Sequence, residues 1–134
     1  MTSSRLLHFT FSTVATVAIA VAATACGGDA DTTGLSEQAA RGKQISISNG
    51  CASCHGSDGQ GGVGPGWEGL AGSEVELEDG TTVVADDAYL IRAIVDPAAE
   101  IRPGYSLRMP VNNLPEADVL DIVAYINELS AQQE

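Results

Sequence analysis

The chain has 134 residues, with 18 Asp and Glu against 6 Lys and Arg, a net charge of −12. That length fits a single domain, the acidity excludes a protein that tracks nucleic acid through clustered bases, and three cysteines are too few for a disulfide-stapled scaffold. Aromatics make up only 4%, and both phenylalanines, Phe9 and Phe11, lie near the N-terminus, so the remainder is short of large side chains for filling a core at native density.

Residues 1–25 read as a signal peptide. Arg5 supplies a positive start, and an apolar run from Phe9 to Ala25 follows, too short to span a bilayer and ending in small residues. Ala23-Thr24-Ala25-Cys26-Gly27 is similar to the lipobox of bacterial lipoproteins, which implies that Cys26 becomes the lipidated N-terminus. An ordinary signal peptide followed by a chance cysteine, or an uncleaved anchor, are the alternatives. All three export the chain, to the periplasm or the cell exterior. Residues 26–34 are rich in Gly, Asp and Thr and read as the lipidated end and a flexible tether. Arg5 is the only charged residue of the first 25, so the mature 109 residues carry all 18 acids and a net charge of −13.

Leu35 to Asn49 reads as a first helix with a small face at Ala39, Ala40 and Gly42. It leads into Cys51-Ala52-Ser53-Cys54-His55, a C-x-x-C-H run of the kind that attaches c-type haem. Two thiols at this spacing, on a turn beside a helix, can reach both vinyl groups on one edge of a porphyrin. The adjacent histidine then projects beneath the ring to the iron. Rival uses lack partners. Structural zinc needs four N or S ligands, and beyond the signal peptide only Cys26, Cys51, Cys54 and His55 are available. A thioredoxin-like pair belongs in a βαβ context that is missing here. A Cys51–Cys54 disulfide leaves His55 without a role.

Val75 to Val84 alternates around Asp79-Gly80 and reads as a β-hairpin. Its acids Glu74, Glu76, Glu78 and Asp79 form either a solvated face or a docking patch. A second long helix is expected from Asp86 or Asp87 to about Val95, with acids at its positive end and Asp96-Pro97 stopping it. A third runs from Pro115, at the first helical position, to about Ala131, with Val119, Ile122, Val123, Ile126 and Leu129 as its apolar stripe. Between these helices lies Arg108-Met109-Pro110. Met1 leaves with the signal peptide, so Met109 is the sole thioether of the mature chain and the candidate second iron ligand beside His55. Met109 as core filler is the alternative.

Residues 35–131 resemble the class I cytochrome c domain. The shared features are a helix before C-x-x-C-H, Gly61-Gly62-Val63-Gly64-Pro65 after it, a Met-Pro loop and a last helix bearing Ala124-Tyr125. Gly64-Pro65-Gly66-Trp67-Glu68-Gly69-Leu70, Tyr89-Leu90, Asp96-Pro97 and Gly104-Tyr105 are similar to the cytochrome domain fused to subunit II of some cytochrome c oxidases. Paired membrane helices and a dinuclear copper ligand set, which the rest of that subunit carries, are missing. The resemblance implies an all-α cytochrome c fold of three to four helices around one covalently bound haem c, with a small β-hairpin insertion near 74–85, then a tail at 132–134. It implies that Pro65 offers a carbonyl to the ligand histidine, that Trp67 and Tyr105 line the haem and reach a propionate, and that Gly42 lets the last helix cross closely against Tyr125. Glycines 59, 61, 62, 64 and 66 let backbone run near the macrocycle. Arg102 and Arg108 are candidates for the propionates or are simply solvent-exposed.

The expected function is that of a monomeric, membrane-tethered one-electron carrier and not an enzyme. Its partners would be a quinol–cytochrome c reductase or dehydrogenase as donor and a terminal oxidase as acceptor. A haem-based sensor with a labile Met109, and a haem-free CxxC redox lipoprotein, are the alternatives. With the porphyrin as the missing core, the 109 mature residues made without haem should show no cooperative unfolding transition in calorimetry, whereas the haem-loaded protein should show one.

Overall fold

A computed structural model describes residues 31–132. Residues 1–25, expected to be a signal peptide, and Cys26, the expected lipid site, lie outside them. The elements in chain order are α1 (Glu37–Ser48), α2 (Ala52–His55), β1 (Glu74–Glu76), β2 (Thr82–Val84), α3 (Asp87–Val95) and α4 (Glu116–Ala131).

Ser36 caps α1: its Oγ accepts from the Ala39 N–H at 3.2 Å, satisfying one of the orphan donors of the first turn. The Ser36 N–H also donates to the Glu128 carboxylate of α4 at 2.9 Å. Leu35, expected inside the helix, therefore precedes the cap. The buried face of α1 consists of Ala39, Gly42, Lys43 and Ser46, small or polar residues that allow α4 to lie close. At Gly42 a Cβ would run into the backbone carbonyl of Asp121 and come 2.9 Å from Ile122 N. The close crossing expected there is at Asp121 and Ile122, one turn before Tyr125. Arg41 brackets it with a forked pair to Asp121, at 2.9 and 3.3 Å.

Lys43 is 7% exposed. Its ammonium donates to Asp58 Oδ1 at 2.7 Å and to the Asp31 carbonyl at 2.6 Å, the pairing a buried charge requires. Thr33 N–H donates to Asp31 Oδ1 and Leu35 N–H to the Thr32 carbonyl. Residues 31–34, read as the end of a flexible tether, thus form a turn seated on α1, because Lys43 needs an acceptor there.

The hairpin pairs Glu74 with Val84, Val75 with Val83 and Glu76 with Thr82. The turn differs from a two-residue Asp-Gly hairpin. Leu77 N–H donates to Thr81 O and Gly80 N–H to Leu77 O, leaving a three-residue loop, Glu78-Asp79-Gly80, with Gly80 at φ +83° as the bulge residue. Asp79 accepts from both the N–H and the hydroxyl of Thr81, which favours the wider turn. Val75 and Leu77 point into the core, and the acids face solvent.

Asp86 caps α3 by accepting from Tyr89 N–H at 2.8 Å. Pro115 is not the first residue of α4. It occupies the cap, extended at ψ 147°, with its carbonyl accepting from Asp118 and Val119. Val119, Ile122, Val123 and Ile126 are buried, and Leu129 is half-buried against the same cluster. Each fully buried aliphatic side chain stabilises the crossing by about 1.5–3 kcal/mol.

Two consequences are measurable. Gly42→Ala should push α1 off α4 and cost about 1–3 kcal/mol, read as a lower Tm in thermal melts. Tyr125 is 1% exposed and its hydroxyl has no partner among the described residues; burial, with the nearby Asp58 and Glu68, pushes its pKa up from 10 to about 12. The folded state then holds this proton where the unfolded chain has released it, so stability should fall as pH rises from 10 to about 12. Tyr125→Phe should remove that part of the alkaline loss and leave neutral-pH stability equal or higher, as checked by urea melts on either side of pH 10.

Candidate functional site

The turn that ends α1 delivers the motif. Cys51 N–H donates to the Ser46 carbonyl, and His55 N–H donates to the Cys51 carbonyl, so the two cysteines and the histidine lie on a single short turn of helix. Both Cys51 and Cys54 are free and half-buried, and burial pushes the Cys51 thiol above its ordinary pKa. The chain then folds back around His55. Gly61 N–H donates to the His55 carbonyl, Gly64 N–H to the Cys54 carbonyl, and Trp67 N–H to the Gly59 carbonyl.

His55 is 7% exposed. Its Nδ1 lies 2.8 Å from the Pro65 carbonyl. A carbonyl only accepts, so Nδ1 carries the proton and Nε2 keeps its lone pair. Burial lowers the imidazole pKa, and the Pro65 bond opposes this only in part; the ring is held neutral, the form that binds metal. Trp67 stacks on the imidazole, with centroids 4.8 Å apart and planes at 21°, and meets Tyr125 edge-on at 6.1 Å. A Cβ at Gly64 would sit 3.0 Å from His55 Cε1, so a side chain here would crowd the ring.

Two cavities share His55, Pro65, Leu107, Arg108 and Met109 as walls. The larger, of about 730 Å³, is also lined by Cys51 and Cys54. The smaller, of about 130 Å³, reaches inward to Trp67, Tyr89, Leu90 and Ile126. Clefts that bury a whole cofactor measure about 300–1,000 Å³, so the space, the two free thiols on its wall, and an N and an S donor on shared walls fit a haem. Among the described residues no group of three or more His, Cys, Asp or Glu is placed to hold a metal ion, so the zinc arrangement finds no ligand set.

The structure brings Cys51, Cys54, His55, Pro65, Trp67, Tyr105 and Met109 to these cavities. Both arginines line the cavities: Arg102 is half-buried on the wall of the smaller one, and the exposed Arg108, on the wall of both, also pairs with Glu78 at 2.9 Å. Of the loop glycines, Gly64 approaches the histidine, while Gly59 packs on Trp67 and Leu129. Three features were not foreseen: the Trp67–His55 stack, the Lys43 pair, and Asn112, whose Nδ2 donates to the Ile94 carbonyl at 2.6 Å. Only the last had a local signal, an Asn-Asn pair after a proline, which reads equally as a plain turn.

A short helical frame around a cofactor-sized cleft, entered by C-x-x-C-H on one side and a lone thioether on another, defines a small haem-binding protein. The family model described as cytochrome c matches residues 39–130, most of the chain, and the chain belongs to that family. No curated protein matches it significantly. Haem c, attached covalently and carrying iron, is its cofactor, and Cys51 and Cys54 stand at the spacing that attachment uses. The family is one of electron carriers.

Proposed function

We propose that this chain is a membrane-tethered class I cytochrome c that passes single electrons between membrane complexes. One observation carries the reading: a neutral imidazole with Nε2 free and the half-buried thioether of Met109 line the same two cavities, beside the two cysteines. Cys51 and Cys54 would hold the haem by thioether bonds, and His55 and Met109 would bind its iron. When bound, the haem supplies a reversible one-electron couple. The protein supplies the rest. Pro65 fixes the histidine tautomer and raises its basicity. Trp67 holds the imidazole plane by stacking, and Tyr89, Leu90 and Ile126 keep water from the inner cavity. With both residues bound to the iron, no open position would be left for a substrate, which suits a carrier and not an enzyme.

Residues 1–25 direct export, and Cys26 takes the lipid. Among the described residues no helix is long and apolar enough to cross a membrane; the lipid on Cys26 is the anchor in this reading. Because Lys43 fastens Asp31 to the domain, the residues from Cys26 to Ala30 can span about 17 Å at most. That keeps the carrier at a high effective concentration near membrane partners. A quinol–cytochrome c reductase or a dehydrogenase is the donor and a terminal oxidase the acceptor; the similarity to the oxidase-fused cytochrome domain supports the acceptor. The carrier works as a monomer.

Met109→Ala should open the sixth position, lower the potential and let carbon monoxide bind the reduced protein quickly. Cys54→Ala should cut covalent haem attachment, read by mass. A wild-type protein that is already high-spin when oxidised, or that binds carbon monoxide rapidly, overturns the assignment of Met109.

A further inference from the structure

The loop that carries Met109 has almost no hold of its own on the protein. Past the turn at Pro103-Gly104, residues 106–113 take part in no backbone–backbone hydrogen bond among the described residues, and Pro110 has no N–H to offer. Side chains on the two flanks of Met109 supply the attachment. On one side Arg108 Nη2 donates to Glu78 Oε2 at 2.9 Å. Glu78 is itself firmly placed: it follows the buried Leu77 in the hairpin loop, and its N–H donates to the Ile101 carbonyl at 2.8 Å. On the other side Asn112 Nδ2 donates to the Ile94 carbonyl at 2.6 Å, while Asn112 Oδ1 accepts from Leu114 N–H at 3.3 Å. Ile94 lies in the last turn of α3, where carbonyls have no helical partner, so the amide satisfies an acceptor that the helix leaves open.

We infer that the β-hairpin and the end of α3 form a two-point clamp on the methionine loop, with Glu78, Arg108 and Asn112 as positioning residues that set how readily Met109 leaves the iron. The inference rests on Met109 being an axial ligand. It gives the acidic hairpin a task inside the molecule: Glu78 holds the loop, and Glu74 and Glu76 remain its solvated acids. The ion pair is exposed, with side-chain accessibilities of 58% for Arg108 and 40% for Glu78, so its share is small and sensitive to salt. The Asn112 contact is partly buried and has the larger share.

The test is the rate at which imidazole replaces Met109 in the oxidised, haem-loaded protein, followed by absorbance. Glu78→Gln should raise that rate about two- to fivefold, and Asn112→Ala about fivefold or more. The exchanged pair, Glu78→Arg with Arg108→Glu, should return it close to wild type. Added salt should bring the wild-type rate up to that of Glu78→Gln and leave the variant unmoved, an arm that requires no substitution to fold. If Glu78→Gln and Asn112→Ala exchange at the wild-type rate while Met109→Ala changes the spectrum, the clamp is overturned and the ligand assignment stands. If Met109→Ala leaves both spectrum and rate unchanged, the ligand assignment falls and the clamp with it.

Discussion

The hydrogen bond from His55 Nδ1 to the Pro65 carbonyl is the contact on which the arrangement of the site depends. It requires a neutral ring, one tautomer and one orientation. To reach it the chain must reverse between residues 56 and 67, and the backbone bonds of Gly61, Gly64 and Trp67 make that reversal. The same reversal sets Trp67 flat on the imidazole and edge-on to Tyr125. The ligand side chain is thereby tied to the helix crossing behind it.

That crossing is arranged by what α1 omits. Large apolar residues on its inner face would hold α4 away; Ala39, Gly42 and Ser46 let it approach until backbone nearly meets backbone at Asp121. The packing density lost in small side chains returns as close contact between helices. Lys43 is the exception on this face. Its charge is tolerated because Asp58 and the Asp31 carbonyl meet it, and the pairing ties the segment before α1 to the loop that follows the haem-attachment motif.

The structure also separates two kinds of wall around the cavities. Behind the histidine they are backbone-bonded loop and stacked rings. Around Met109 they are an irregular segment attached through side chains. The two candidate donors are thus held differently: the imidazole by a backbone-bonded loop and a stacked ring, the thioether by a segment attached mainly through side chains.

Much of this was legible in the residues themselves. Cys51, Cys54 and His55 stand out because the chemistry fixes their spacing, and α3 and α4 because apolar periodicity and caps are local signals. The hairpin was legible as alternation. Its turn was not, because the Asp79 carboxylate chooses Thr81 as its donor pair and widens the loop by a residue. Pro115 fell one position outside its helix because an N1 proline and a cap proline read alike until ψ is known. Arg108 read either as a partner for an anionic cofactor or as simply exposed; it is exposed, and it pairs with Glu78, a partner thirty residues away that carries no sequence signal, since an arginine fork accepts any carboxylate the fold brings near. By itself, then, the sequence determined the attachment motif, the helical elements and the one methionine among the described residues, since these rest on covalent chemistry and contacts within a few residues. The bond from His55 to the Pro65 carbonyl, and with it the tautomer, was already implied by the family resemblance; only the tertiary structure decided the Trp67 stack, the partner of Lys43 and the hold on the methionine loop, because each is a choice among chemically equivalent partners that distance alone makes.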